Sequence, residues 1–198
     1  MSLSVKNITK LFDQKIILKD FSYDFEATGL YIISGESGAG KTTLLRIIAG
    51  LDKDYSGKVA GGGISNISFA FQEYRLFPQL SALDNLKLVF ESPNEENEKE
   101  ILLLLQKLEI STHDSLLYPD ELSGGMKQRI SLARAFLKKA PIILLDEPTK
   151  ELNTELADKV LDIIENYSKD HLIIMVSHDD FSSKSLEFTK ITIQNIHN

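Results

Sequence analysis

Cysteine is absent from this chain of 198 residues. Its absence excludes a disulfide framework and any metal or thiol chemistry that depends on cysteine, and it suits a reducing compartment. No hydrophobic run approaches the ~20 residues that a membrane-spanning helix requires. The first residues, Met1-Ser2-Leu3-Ser4, lack the basic and then apolar pattern of a signal peptide, so we expect no secretory leader.

An excess of positive charge is missing as well. The formal net charge is −7, which argues against a protein that coats nucleic acid, and we expect no nucleic-acid partner. Hydrophobic residues make up 42% and charged residues 26% of the chain, as is ordinary for a soluble globular protein. A chain of this length can bury a full core, and we expect one domain over residues 1–198.

The most specific pattern in the sequence is a phosphate-binding loop of the form G-x-x-x-x-G-K-[ST]. An apolar strand, Leu30 to Ile33, is predicted before it, and a helix from Thr43 to Ala49, closed by Gly50, is predicted after it. Backbone N–H groups freed by the glycines and the helix N-terminus together favour a bound phosphate. The candidate phosphate-binding residues are Gly35, Glu36, Ser37, Gly38, Ala39, Gly40, Lys41, Thr42 and Thr43.

Two side chains of this loop carry the expected chemistry. Lys41 should reach the β- and γ-phosphates of a nucleotide, and the Thr42 hydroxyl should ligate Mg²⁺. A glycine-rich turn without a ligand is the alternative, and the flanking strand and helix disfavour it. The loop therefore indicates a nucleotide-phosphate site.

Two strands are expected ahead of the phosphate loop. Leu3, Val5 and Ile8 alternate as in a strand, residues 10–15 resemble a turn, and residues 16–25 supply a second strand. A minimal α/β unit does not need these strands, which suggests an antiparallel flap beside the main sheet. Phe12 lies between the two strands, where its ring could stack on adenine or could equally be a core aromatic.

The middle of the chain is expected to be a loop followed by a helical insertion. Residues 52–63 are rich in turn formers and end in three glycines, which favours a mobile surface loop. A strand at residues 67–71 runs into Gln72. Residues 79–120 combine helical periodicity with an acidic tract, which indicates a solvated loop and a helix start. Residues 1–78 and 141–198 would then form the α/β core, and residues 79–140 a helical subdomain.

A second helix start that can bind an anion lies at Ser123-Gly124-Gly125. Ser123 can cap this helix, and the two glycines leave backbone N–H groups accessible. Apolar residues at helical spacing continue as far as Leu137. One phosphate loop already suffices for one nucleotide, so this second helix start needs another explanation.

Two aliphatic strands deliver polar residues to the edge where open α/β sheets bind ligands. Residues 142–145 are uninterruptedly aliphatic and lead into Asp146 and Glu147, and residues 172–176 lead to His178. Adjacent carboxylates could be surface charge, and a lone histidine is usually structural. Their weight comes from the strands that precede them and from the motifs that accompany them.

In this order, the motifs resemble those of the nucleotide-binding subunits of ABC transporters, from Phe12 to His178. The resemblance implies the fold of a P-loop NTPase. Its parts are a RecA-like α/β core containing the Walker A loop, an antiparallel β flap and an inserted α-helical subdomain. It also implies a head-to-tail dimer with two ATP molecules sandwiched between the subunits.

The motifs then acquire roles in ATP hydrolysis with Mg²⁺. Asp146 should hold the metal through water together with Thr42. Glu147 should act as the general base, and Gln72 should contact the metal or the water. His178 should contact the γ-phosphate, so that the expected catalytic residues are Lys41, Gln72, Glu147 and His178.

The resemblance also explains the second helix start. Ser123 and Gly125 would cover the γ-phosphate of the ATP that the opposite subunit holds, so that ATP drives dimerisation. The sequence leaves open whether the second subunit is an identical or a different chain.

Two segments differ from the common pattern of the family. Met126 stands where the LSGGQ signature has glutamine, a variant that is similar to importer ATPases for nitrate, sulfonates and taurine, as is the stretch from Phe71 to Asn85. Lys150-Glu151-Leu152-Asn153 stands where the family usually has Ser-Ala-Leu-Asp. Loss of the aspartate charge at Asn153 puts the strength of coupling between two sites in question.

The leading hypothesis is an ATPase that drives a separate membrane permease from the cytoplasmic side of the membrane. It favours import, which would add an extracellular solute-binding protein as a partner. An ABC-type ATPase of DNA repair or translation is the alternative, but the long coiled-coil insertion or tandem unit usual there is missing. A GTPase or small-molecule kinase is a third possibility. Such proteins would not explain Ser123-Gly124-Gly125, and the guanine motif [NT]-K-x-D is also missing.

Overall fold

The structure is a computed structural model that describes residues 2–179, 181, 184 and 186–194. Within these residues, eight strands form two sheets. In chain order they are β1 (Leu3–Phe12), β2 (Lys15–Phe25), β3 (Gly29–Ser34), β4 (Ser56–Ala60), β5 (Ile67–Ala70), β6 (Ile142–Asp146), β7 (Leu172–Val176) and β8 (Thr189–Thr192). The α-helices are α1 (Lys41–Ile48), α2 (Ala82–Lys87), α3 (Glu95–Lys107), α4 (Gly124–Leu137) and α5 (Thr154–Ser168).

The larger sheet is parallel and positions the site. Its strand order is β5-β6-β7-β3-β8, and every pairing runs parallel. All residues of β6 and β7 are buried, which explains their continuous aliphatic runs, because both faces of the sheet are covered. One face packs against α1 and the other against α4 and α5. The expected α/β fold of a P-loop NTPase is confirmed.

The smaller sheet is antiparallel and has the order β2-β1-β4. The expectation that residues 52–63 form a loop is wrong in part, because β4 pairs with β1 through the partners Val5 and Val59. The strand sequence Ser-Gly-Lys-Val-Ala has little strand propensity, so its extended conformation depends on this pairing. The flap therefore has three strands rather than two.

A buried lysine fixes the segment between α1 and β4. The Lys10 side chain, on β1, is only 6% exposed. Its Nζ donates to Asp52 Oδ1 at 3.0 Å and to the carbonyl oxygen of Asp54 at 2.6 Å. A buried ammonium with carboxylate and carbonyl partners is stabilising only when these bonds persist. The segment that the glycines marked as mobile is thus attached to the antiparallel sheet.

Helices α2, α3 and α4 pack together in the core cluster on the α4 and α5 face. The acidic tract begins α3, where Asn94 and Asn97 form a reciprocal capping box. Acidic side chains in the first turn of a helix are favoured by its dipole, so the interpretation of this tract as a helix start is confirmed. The limits 79–140 of a separate subdomain stay a prediction. In the described part of the chain, no helix has both the length and the apolar character needed to cross a membrane.

Candidate nucleotide site

The phosphate loop joins β3 to α1, and its glycines adopt conformations that other residues disfavour. Gly40 has φ of 90°, and a Cβ there would lie 2.9 Å from side-chain carbons of Ile17 and Leu18. Gly38 has φ of 80°, and a Cβ there would meet no atom within 4 Å. Gly40 lets the loop pack on the antiparallel sheet, whereas Gly38 borders open space. The loop is therefore anchored on one side and accessible on the other.

Helix α1 begins at Lys41 without a side-chain cap. Because no side chain caps the helix, its first N–H groups can donate to an external acceptor. Lys41 is 6% exposed, and its Nζ donates to the carbonyl oxygens of Gly35 and Glu36, both at 2.8 Å. Burial lowers the pKa of Lys41, while Glu147 and Asp146 oppose that effect. The cation is thus held directly over the loop at the helix start.

Asp146 ends β6 directly behind α1. The Thr42 hydroxyl donates to Asp146 Oδ1 at 3.1 Å, and Asp146 is 3% exposed. Burial raises the pKa of Asp146, and the hydrogen bond from Thr42 acts in the opposite direction. The parallel sheet has therefore brought together two side-chain oxygens that could bind a metal ion, from residues that are 104 positions apart in the chain.

These donors suit Mg²⁺ rather than a metal with an all-protein coordination sphere. Among the residues that the structure describes, no group of three or more His, Asp or Glu side chains converges on one point. Mg²⁺ is commonly held by one or two protein oxygens, with phosphate and water supplying the rest. Thr42 and Asp146 would provide that minimal set, and Gln72 lies on the same cavity.

Glu147 follows Asp146 in a left-handed conformation with φ of 52°. Its N–H donates to the carbonyl oxygen of Val176 at 2.9 Å. Its carboxylate is contacted from two sides, by His178 Nε2 at 3.2 Å and by Lys150 Nζ at 3.3 Å. The structure therefore brings together the predicted pair Glu147 and His178. It adds Lys150, which the sequence reasoning treated only as a departure from the family.

A cavity of about 1070 Å³ opens in front of the phosphate loop. Predicted site residues that line it are Phe12, Ser37, Gly38, Gly40, Lys41, Thr42, Thr43, Gln72, Glu147 and His178. Phe12 is 67% exposed at this cavity, which excludes the core role. A ring in that position is free to stack on a base, and adenine stacking stays a prediction.

The remaining predicted residues lie behind or away from the cavity surface. Gly35 and Glu36 turn their carbonyl oxygens to Lys41. Ala39 is buried in the core, and Asp146 is reached through Thr42. None of these four is among the described lining residues.

Ser123 and Gly125 are not in the cavity lining of the described chain either. Ser123 Oγ accepts the N–H of Met126 at 3.2 Å and thereby caps α4, as predicted. Ser123 is exposed, so its hydroxyl lies at the surface. Within one chain, α4 does not complete the site in front of α1.

Comparisons with known proteins agree with this geometry. The family model described as ABC transporter matches residues 18–150. The spermidine/putrescine import ATP-binding protein PotA of Thermotoga maritima is 37% identical, over 93% of this chain and 54% of its own length. HrtA of Staphylococcus aureus strain MRSA252, an ATP-binding protein to which its name provisionally ascribes hemin import, is 35% identical over 90% of this chain and 91% of its own. The chain thus spans about half of the first relative and nearly all of the second.

Solved structures give the same result. The dimeric structure of MJ0796, a bacterial ABC transporter cassette, has a TM-score of 0.86 and 27% identity, with coverage of 98% of this chain and 94% of its own. A dimeric post-hydrolysis state of the same ATP-binding cassette, bound to ADP and Pi, has a TM-score of 0.81 and 28% identity, with coverage of 89% and 88%. Sequence, fold and site geometry therefore agree, and the chain belongs to the ABC transporter family as an ATP-binding cassette.

Proposed function

We propose that this chain binds and hydrolyses ATP in order to drive solute import through a separate membrane permease. The observation that carries the proposal is the placement of Glu147. Its carboxylate borders the same cavity as the phosphate loop and is held by His178 and Lys150. A nucleotide-binding module without hydrolysis would need the loop but not a carboxylate held in that position.

ATP binding begins at the start of α1. The uncapped N–H groups and the Lys41 ammonium are placed to receive the β- and γ-phosphates, so that phosphate oxygens replace the carbonyl oxygens now bonded to Lys41. Thr42 and Asp146 would hold Mg²⁺. When bound, the ion neutralises charge on the β- and γ-phosphate oxygens. Phe12 would stack on the adenine at the mouth of the cavity.

Hydrolysis then requires a water molecule aligned with the γ-phosphorus. Glu147 accepts a proton from that water molecule. At the same time the water oxygen bonds to the γ-phosphorus, and the bond between this phosphorus and the oxygen of the leaving ADP breaks. With Nε2 protonated, His178 donates to Glu147 Oε1 and orients the carboxylate. Gln72 lines the cavity and can position the water or the metal.

The active form is proposed to be a dimer with ATP at the interface. Ser123 and Gly125 begin α4 outside the cavity lining of their own chain. An exposed hydroxyl and a helix N-terminus suit the γ-phosphate of ATP on a second subunit. The dimeric cassette structures to which this chain is similar support that arrangement. The second subunit is an identical or a closely related chain.

Sedimentation of a Glu147→Gln variant tests this proposal. The variant should bind ATP without turning it over, and a shift from monomer to dimer mass should appear only when ATP is present. ADP is the matched control, because it lacks the γ-phosphate that the second subunit contacts. A constant mass at high protein concentration would contradict the homodimer, and mixing with a partner cassette would then test the heterodimer.

The permease is proposed to dock on a second cavity, of about 480 Å³, between the edge of the parallel sheet and the helices. Leu51, Phe71 and Leu88 supply apolar lining, and Arg75 lies 3.7 Å from the centre of the Phe71 ring. Leu88 is 56% exposed. An apolar groove with basic neighbours suits an amphipathic helix of a partner, and the partner would hold this chain at the cytoplasmic face of the membrane.

The import direction is supported by the import functions in the names of the PotA and HrtA relatives. Within importers, Met126 and the stretch from Phe71 to Asn85 favour small solutes such as nitrate, sulfonates or taurine, whereas those relatives are named for polyamines and hemin. An extracellular solute-binding protein would deliver the solute. Solute uptake by the reconstituted transporter, tested solute by solute, would decide among these classes.

A further inference from the structure

One side chain of α4 reaches the catalytic region of its own subunit. Gln128 is 6% exposed and lies one turn into the helix. Its Nε2 donates to the carbonyl oxygen of Glu147 at 2.6 Å, and its Oε1 accepts the N–H of Glu151 at 3.0 Å. Only one orientation of the amide satisfies both bonds. A flipped amide would place Oε1 against the carbonyl oxygen of Glu147 and Nε2 against the N–H of Glu151.

The backbone that Gln128 holds is in an uncommon conformation. Glu147 has φ of 52°, which is disfavoured for a residue with a Cβ and persists only when the surroundings fix it. On one side the N–H of Glu147 donates to the carbonyl oxygen of Val176 in β7. On the other its carbonyl accepts the bond from Gln128 and a longer one, of 3.4 Å, from the N–H of Lys150 within the same turn. The direction of the carboxylate therefore depends on β7 and on α4.

We propose that Gln128 is a positioning residue for ATP hydrolysis, which fixes the turn at residues 147–151 and so aims the Glu147 carboxylate. The inference rests on the proposed function of this site. Helix α4 begins at the residues proposed to contact ATP on the second subunit. Gln128 then connects that contact to the general base of its own subunit through two hydrogen bonds.

The neighbouring side chain shows that this link is specific to Gln128. Arg129 is also buried and also donates to backbone carbonyl oxygens, those of Gly125, Leu108 and Glu109. The bonds to Leu108 and Glu109 attach α4 to the segment that follows α3, whereas the bond to Gly125 lies within α4. Of these two adjacent residues, Gln128 is the one whose hydrogen bonds reach the turn that carries Glu147.

Two substitutions separate positioning from packing. Gln128→Glu keeps the shape and the acceptor for Glu151, but it places an oxygen against the carbonyl of Glu147. Gln128→Met keeps the volume and removes both hydrogen bonds. Ser131→Ala is the matched control, because Ser131 is buried on the same helix and its hydroxyl has no hydrogen-bond partner in the described structure.

Steady-state ATPase kinetics, fluorescent-nucleotide binding and thermal unfolding are measured for each variant. For both Gln128 variants we expect kcat to fall about 10- to 100-fold, because a small misplacement of a catalytic group costs that much. The KM for ATP should change by less than about 2-fold, because the phosphate loop is untouched. Ser131→Ala should keep the wild-type rate.

A double variant tests whether Gln128 acts through Glu147. In a Glu147→Gln background, Gln128→Met should lower the residual rate no further, because the group that it positions is already lost. An additional, multiplicative loss would overturn the proposal, as would a wild-type kcat in either single variant. Failure of both Gln128 variants to fold would also overturn it, by assigning Gln128 to stability. If Glu147→Gln itself hydrolyses ATP at the wild-type rate, the proposed function fails first.

Discussion

The starts of α1 and α4 are built from similar residues and differ in what completes them. Both follow glycines or small polar residues and both offer backbone N–H groups. Helix α1 has no side-chain cap, and a buried cation lies over its first turn. Helix α4 has its cap in place, because Ser123 Oγ accepts the N–H of Met126. The first is therefore an incomplete site that needs an anion, and the second is stable without one.

The acidic groups near the two helix starts also differ. A buried carboxylate, Asp146, lies behind α1, and burial raises its pKa. The first turn of α4 contains no acidic residue. Buried ionisable groups with shifted pKa values therefore accompany the start of α1 before a nucleotide arrives. We propose that the start of α4 only covers the nucleotide of a second subunit, a role that does not call for such groups.

Removing the cation at α1 should have the largest effect. For Lys41→Ala we expect ATPase activity to fall by about 10³-fold, at the upper end of the loss on removing one charge-stabilising group, together with weaker ATP binding. The fold should remain intact, as circular dichroism would report. Lys169→Ala, which removes an exposed lysine after α5, is the control. Retained activity in Lys41→Ala would refute the site.

Substitution at Ser123 should separate the two roles of the α4 start. Aspartate caps helices as well as serine does, so Ser123→Asp should keep the melting temperature. Its carboxylate would repel a γ-phosphate, and ATPase activity and ATP-driven dimerisation should fall about 10²-fold with ATP binding to the monomer retained. Ser123→Ala should instead cost about 1 kcal/mol of stability through the lost cap. Full activity in Ser123→Asp would show that α4 contacts no phosphate.

The smallest effect concerns Asp146 in the nucleotide-free protein. Its pKa is raised by folding, so its contribution to stability is complete below the ordinary carboxyl pKa of 3.8 and is lost as the pH rises through the raised pKa. Asp146→Asn should therefore raise the melting temperature at pH 7 by a few degrees, since about 1 kcal/mol moves it by about 2–4 °C in a chain of this size. Near pH 3 the difference should vanish.

Asp162→Asn, on the exposed surface of α5, is the control for that measurement and should leave the melting temperature nearly unchanged. A destabilised Asp146→Asn variant at pH 7 would mean that the carboxylate supports the empty fold. Helix α1 would then resemble α4 in being complete before the nucleotide binds.

The sequence predicted the parts of the fold that depend on burial. Strands β6 and β7 are buried along their whole length, so their aliphatic runs identified them and the residues that follow them. Strand β4 could not be found in this way, because only its pairing with β1 makes it a strand. Local composition there favoured a loop, and a contact 54 residues away in the chain decided otherwise.

In the site, the phosphate loop was predictable because the spacing of its glycines determines which backbone N–H groups can contact a phosphate. The contacts to Glu147 were not. Lys150 was visible only as a departure from the family, although its charge could have suggested a partner three residues earlier. Gln128 carries no local signal at all, because its bond to Glu147 depends on how α4 packs against β6 and the turn that follows it.

The pairing of β3 has a consequence for how the protein emerges from the ribosome. This strand leads directly into the phosphate loop, yet its neighbours are β7 and β8, which are synthesised long after it. A nascent chain that already contains the whole loop therefore lacks both strands that hold its base in place. The antiparallel pair β1 and β2 can form early, because its partners are close in sequence. We therefore expect ATP binding to be acquired only after β7 and β8 have left the exit tunnel and paired with β3.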